Sequence, residues 1–266
     1  MIDDLCNALA LIQLKRSEVP TSKGILVGVT GIDGCGKGYL TRIIVSELQR
    51  LGFKAVSINV DGWLNLPDKR FSKTCPAEHF YEHAIRFEEL FQQLVLPLKQ
   101  NRRHRVVADF AEEAAREYRK QAYEFEDVDI IVLEGIYLLK PALCAHFDLT
   151  FWVNCTFETA LERALQRGQE GLSAAETVRA YETIYFPAQR IHFAKDNPRA
   201  AADLIIKNDP RLDGCESPAF RAKSASTNSP FRKLTRVPFF LRPTRRASDP
   251  SGPRPLAMPL STTEYR

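Results

Sequence analysis

Hydrophobic positions in this chain alternate between short apolar runs and longer stretches at helical spacing, as far as about residue 209. Residues 4–18 carry Leu5, Leu11, Ile12 and Leu14 at roughly helical spacing and predict a short amphipathic helix closed by Pro20. Residues 25–30 form an apolar strand, 38–51 a helix with Ile43, Ile44 and Leu48 on one side, and 55–60 a second strand. A long helix is expected over 77–96, its contacts supplied by Phe80, Ile85, Phe87, Leu90, Phe91 and Leu94. A strand over 106–110 follows, then a polar helical stretch around 111–123. The unbroken Ile-Ile-Val-Leu within 129–134 suits a strand buried on both faces. Two more strands, 149–153 and 203–207, enclose helices near 156–167 and 173–193. Strands alternating with helices at this spacing predict an α/β fold: a doubly wound, mostly parallel sheet with helices on both faces.

Composition changes the picture at the C-terminus. Residues 211–266 hold eight of the sixteen prolines, seven serines and few aliphatic residues, and read as a disordered tail. Three parts are expected: an N-terminal helix (1–22) packed on the core, a phosphate-binding domain (23–209) and a Pro/Ser/Arg-rich tail (210–266). The formal net charge of +4 divides into +7 for 211–266 and −3 for 1–210. A mildly acidic body argues against a nucleic-acid-binding core, while the basic tail remains able to touch anionic surfaces. Six cysteines without a C-x-x-C pair read as reduced thiols rather than as a zinc site or disulfide framework. With no apolar run of membrane-spanning length and no signal-peptide pattern, a cytoplasmic protein without membrane partners is expected. Self-association is left open.

Between the first strand and the next helix stands Gly31-Ile32-Asp33-Gly34-Cys35-Gly36-Lys37, the pattern G-x-x-x-x-G-K in the context it requires. Its glycines let backbone N–H groups turn toward phosphate oxygens, the helix N-terminus adds partial positive charge, and Lys37 reaches the outer phosphates. Residues 31–39, ending in Gly38 and Tyr39, are therefore the expected ATP-binding segment. The Ser or Thr that normally follows the lysine and ligates Mg²⁺ is Gly38 here, and Thr41 lies one turn further on. Cys35 sits at a helix N-terminus, which lowers a thiol pKa, although its small size is the simpler reason for its place in the loop.

Asp61 directly follows the second strand, so its carboxylate should emerge at the carboxyl edge of the sheet, where open α/β sheets bind ligands. A carboxylate there can accept the proton of an attacking hydroxyl. Glu134 ends the apolar strand at the position of a second acidic residue for Mg²⁺ or its bound water. Arg163 and Arg167, four apart on one helix face, are expected to close over the phosphates. Trp63, Tyr81, Tyr118 and Tyr137 are rings available to stack on an acceptor, with packing as the competing role. The five histidines show no compact metal pattern.

Taken in order, the phosphate loop, Asp61, Glu134-Gly135-Ile136 and the arginine segment resemble the uridine kinase and phosphoribulokinase family of P-loop kinases over roughly residues 24–208. The resemblance implies ATP and Mg²⁺ as cofactors, Asp61 as catalytic carboxylate with Lys37, Arg163 and Arg167 around the phosphates, and Glu134 assisting the metal. It also implies that Ala108-Asp109-Phe110 with Arg116 is the acceptor segment; Asp61 and, among the rings, Trp63 and Tyr137 complete the substrate-binding residues expected from the sequence. The family's histidine after Phe110 is absent, and Glu112 and Glu113 occupy that stretch. Transfer of the ATP γ-phosphate to a hydroxyl of a nucleoside or similar small metabolite is the expected activity. A sugar phosphate or pantothenate-like acceptor, and an ATP-binding regulator with little catalysis, are the alternatives.

Overall fold

The computed structural model describes residues 2–168 and 172–212. Expectations for the tail beyond 212, Cys215 included, lie outside the described residues. Five parallel strands form the main sheet in the order β2-β5-β1-β6-β7: β1 Ile25–Gly31, β2 Ala55–Asn59, β5 Ile130–Gly135, β6 Leu149–Asn154 and β7 Leu204–Lys207. β1 and β5 are buried along their whole length, as central parallel strands covered on both faces must be. The N-terminal helix α1 (Ile2–Glu18) lies against β1, β6 and β7 through Ala8, Ile12 and Arg16, with Leu14 turned to solvent. Helix α2 (Lys37–Arg50) follows the phosphate loop and buries Leu40, Ile44 and Leu48.

Two expectations are corrected. The helix over 77–96 is two pieces, Pro76–His83 and a run starting at Phe87. Residues 84–86 leave the helix because their backbone pairs with 63–65: Asn65 N donates to the Ala84 carbonyl (2.9 Å), Arg86 N donates to Trp63 (2.9 Å), and Leu64 bridges Ile85. The second piece carries a π-helical turn at Phe91–Val95 next to Pro97, which has no N–H to offer the Gln93 carbonyl; the His104 ring takes that carbonyl instead at 2.7 Å.

The polar stretch expected as a helix around 111–123 contributes instead to a strand, β4 (Arg119–Phe125), antiparallel to β3 (His104–Phe110). Its period is two: Gln121, Tyr123 and Phe125 turn inward while Lys120, Ala122 and Glu124 alternate toward solvent. Tyr123 stacks on Trp63 with ring centroids 6.0 Å apart, which ties the hairpin to the body beside the end of β2.

Candidate active site

A cleft of about 530 Å³ opens at the carboxyl edge of the main sheet, lined by the phosphate loop, the ends of β2 and β5, and the helix Phe157–Arg167. Its floor is the turn between β1 and α2. Gly34 and Gly36 hold φ of 75° and 92°, the left-handed region that glycine enters at little steric cost. A Cβ at Gly34 would strike the Ala160 carbonyl, and one at Gly36 the Asn208 amide, so both positions also need the missing side chain. α2 begins with Gly36 as its N-cap, no side chain caps it, and no acidic residue occupies its first turn. Its leading N–H groups thus present a partial positive charge to the cleft. Lys37 is 8% exposed and its Nζ donates to the Ile32 carbonyl at 2.9 Å, inside the curl of the loop. Burial works against the charged ammonium, but the surrounding Cys35, Asp33, Glu134 and Asp61 outweigh it and raise its pKa.

Asp61 lies in a short turn, Val60–Gly62, directly beyond β2; the Asn59 side chain accepts from its backbone N–H at 2.7 Å and fixes the turn. Glu134 stands opposite Asn59 in the β2–β5 register, which brings the two acidic residues to one edge. Burial in the cleft walls, then the Asp33 carboxylate, raise Asp61 above the usual carboxylate range against the pull of Lys37, Asn59 and Arg167; the side chain keeps a path to solvent. Glu134 is likewise raised, by burial first and by Asp61 and Asp33, against Lys37 and Arg167. Among the described residues no group of three or more His, Cys, Asp and Glu side chains is arranged to hold a metal alone. A cation here would need ligands beyond these side chains.

Arg163 and Arg167 both line the cleft. Arg163 has a definite structural partner: its Nη1 donates to the Cys35 carbonyl at 3.2 Å, joined there by Asn208 Nδ2 at 2.7 Å. The phosphate loop is thus gripped from the ends of two other segments. Asp209 secures this grip, because its carboxylate accepts from Thr156 N, Thr156 Oγ1, Thr159 Oγ1 and Arg211 N at 2.6–2.9 Å. Sequence reasoning missed Asn208 and Asp209, although a polar pair directly after a strand, at the edge already holding the loop, was a usable signal. It also missed the cleft-lining Arg42, Ser57 and Asn59.

Other sequence-predicted residues lie elsewhere. Ile32 and Cys35 turn into the core, and burial raises the Cys35 thiol pKa despite the nearby Lys37, opposite to the direction a helix N-terminus alone would give. Tyr39 is exposed at the cleft wall. Asp109 points across the hairpin to Lys120 at 2.7 Å, and Arg116 is exposed on the hairpin turn. Trp63 is fully buried under Tyr123 and the Arg86 guanidinium. Tyr137, 1% exposed with φ of 61°, packs edge-on against Tyr81 and T-shaped against His192. Tyr118 is half-buried beneath Arg86 and bonded to Asn65.

The model of the phosphoribulokinase / uridine kinase family matches residues 26–184, more than half of the chain and the whole run from β1 through the arginine helix. The chain belongs to this family. It is a P-loop kinase by family and by fold. A uridine kinase of Alkaliphilus metalliredigens is 27% identical over 190 residues, covering 69% of this chain and 88% of the relative. A thymidylate kinase of Mycoplasma pneumoniae is 28% identical over 189 residues, 66% and 85% of the respective chains. Among solved structures, a uridine kinase candidate from Bacillus stearothermophilus superposes with a TM-score of 0.57 at 19% identity, over 74% of this chain and 97% of its own. A candidate fructose transport system kinase from a Silicibacter species gives 0.58 at 23%, over 74% and 98%. These structures share the fold. Among the described residues no helix is long and apolar enough to cross a membrane.

Proposed function

We propose that this P-loop kinase transfers the γ-phosphate of ATP to a hydroxyl of a small metabolite in the cleft at the carboxyl edge of its sheet. One observation carries the reading: the uncapped N-terminus of α2, the buried Lys37 and the Asp61 and Glu134 carboxylates all face one cleft. Backbone N–H groups and Lys37 would bind the phosphates, and Arg163 and Arg167 would complement charge spread over the transferring oxygens. Asp61 would orient the acceptor hydroxyl and take its proton as the oxygen attacks phosphorus, while the bond from the γ-phosphorus to the bridging oxygen breaks and ADP leaves. Mg²⁺, held by Glu134 and phosphate oxygens with Asp61 nearby, would neutralise phosphate charge.

The acceptor is a nucleoside or another small alcohol, and the placement of the aromatic residues favours the second. Trp63, Tyr81 and Tyr137 are buried in packing and present no open face to a base, while Tyr118 is half-buried with one face under the Arg86 guanidinium. A sugar phosphate or pantothenate-like acceptor is the second reading on this ground. The test is an Asp61→Asn substitution. Turnover should fall at least a hundredfold, within the range for loss of a general base, while ATP affinity stays within a few-fold. Loss of ATP binding instead would assign Asp61 to structure or metal and overturn its proposed role.

A further inference from the structure

The cleft has an arm between α2 and the edge strand β2, lined by Tyr39, Thr41 and Arg42 on one wall and by Ser57 and Asn59 on the other. Ser57 and Asn59 are exposed at alternate positions of β2 with Ile58 buried between them, so they share one face of the strand. Asn59 Oδ1 accepts from Asp61 N at 2.7 Å, which joins the arm to the proposed base. None of these five side chains is acidic. Arg42 stands four residues after Gly38, on the same face of α2. Long side chains on a helix lean toward its N-terminus and cover the turn before their own Cα. With glycine at 38, that turn carries no side chain between Arg42 and the phosphate loop. Arg42 is exposed and has no ion pair or side-chain hydrogen bond among the described residues. Beside it, Thr41 is 2% exposed and its Oγ1 is buried without a hydrogen-bond partner. A buried hydroxyl in that state is unfavourable until something completes it.

We propose that the arm between α2 and β2 binds an anionic group, phosphate or carboxylate, carried by the acceptor itself, with Arg42 as its ligand and the Thr41 hydroxyl as a second donor. A guanidinium matches the paired oxygens of either anion and charges the hydrogen bonds it makes to them. The inference rests on the phosphotransfer reading above and narrows its acceptor. The substrate is an alcohol that already bears an anion, its hydroxyl at Asp61 and its charge at Arg42. An uncharged nucleoside would leave Arg42 unused. Arg42 is thereby a specificity-determining residue that takes no part in the transfer itself. Its rival role is to reach back over Gly38 to the nucleotide phosphates, and the two roles separate once the nucleotide site is filled.

The experiment saturates the full chain with Mg²⁺ and a β,γ-imido analogue of ATP, so that the γ-phosphate position is filled. Inorganic phosphate and acetate are then titrated separately and read by the widths of their ³¹P and methyl proton lines. The native chain should broaden at least one line, and which one names the anion. Arg42→Gln should weaken that binding about tenfold or more, as for loss of a charge-assisted hydrogen bond, and Arg42→Lys should fall between. Arg42→Gln should keep the native nucleotide affinity and unfolding midpoint, because its side chain has no partner among the described residues. The same variants are compared in transfer from [γ-³²P]ATP to ribose and ribose 5-phosphate, glycerol and glycerol 3-phosphate, and pantothenate. Product should form with anionic alcohols and not with their uncharged counterparts. The anion that binds should compete with the acceptor, and Arg42→Gln should raise the acceptor KM about tenfold with kcat little changed. No broadening by the native chain, equal binding by Arg42→Gln, or a loss of nucleotide affinity in Arg42→Gln would each overturn the inference and leave the kinase reading standing. So would equal transfer to charged and uncharged alcohols, or an anion that inhibits without competing with the acceptor. Transfer to no alcohol would instead overturn the phosphotransfer reading, and the assignment of the acceptor would fall with it.

Discussion

Replacing Asp209 with alanine should destabilise the protein by about 3 kcal/mol and loosen the phosphate loop with it. Its carboxylate gathers four donors, two from Thr156, one from Thr159 and one from Arg211, and the residue is 4% exposed. A hydrogen bond to a charged group contributes roughly 1.5–3 kcal/mol, but four on one carboxylate act as a unit and do not add in full. Thr156 keeps its capping bond to Thr159 N (3.2 Å), and Arg211 keeps its pair with Glu162, so part of the anchorage survives. About 3 kcal/mol in a domain of this size lowers the unfolding midpoint by roughly 6–12 °C.

The pH dependence gives an independent check. Burial raises the Asp209 pKa, but the donors from Thr156, Arg211 and Thr159 outweigh it and hold the carboxyl well below the ordinary carboxylate range. A group whose folded pKa is depressed contributes stability that is present above its unfolded pKa, near 4, and is lost as pH falls toward the folded value. The gap between native chain and Asp209→Ala should therefore be full at pH 7 and shrink progressively below about pH 4. Urea unfolding at pH 7 and pH 3 measures both. A difference under 1 kcal/mol at pH 7, or one that does not narrow at pH 3, would refute the anchor.

The catalytic assignment predicts a pH profile in which kcat/KM falls toward acid with an apparent pKa above the usual aspartate value, since burial and Asp33 raise Asp61 and a base must be deprotonated; steady-state rates from pH 5 to 8 would show it. Trp63→Ala should cost about 3–5 kcal/mol in urea unfolding, as for other large core truncations, whereas a stacking role at the acceptor would appear as a raised acceptor KM with little loss of stability. Cys35, buried with a raised thiol pKa, should react with iodoacetamide far more slowly at pH 8 than the exposed Cys6 and Cys75, and mass spectrometry of the native chain would count the labels.

Much of the sheet was legible in the sequence because its strands are buried on both faces and their apolar runs are bounded by turns. Residues 130–135 carry that signal without competition. The phosphate loop was legible for a different reason: glycine spacing encodes backbone conformation directly, and Gly34 and Gly36 adopt the positive φ the motif requires. The β4 strand was hidden because Lys120 and Glu124 charge its outward face and the exposed Arg119 opens its inward one, which masked a two-residue period whose inward side continues as Gln121, Tyr123 and Phe125. The break at Ala84–Arg86 was hidden because its cause, pairing with residues 63–65, is distant along the chain. The carboxylate edge followed from strand ends alone. The grip of Asn208 and Arg163 on the Cys35 carbonyl did not, because it joins residues up to 173 apart in the chain. Aromatic residues misled: nothing local separates a ring that stacks on ligand from one such as Trp63 that is packed under another ring.

The most direct test of the account is transfer of label from [γ-³²P]ATP by the full chain, against nucleosides, sugar phosphates and pantothenate, with Asp61→Asn in parallel. The account predicts a labelled product from at least one small alcohol and its loss in the Asp61→Asn chain. ATP bound without transfer to any acceptor, or transfer unaffected by the substitution, would contradict it.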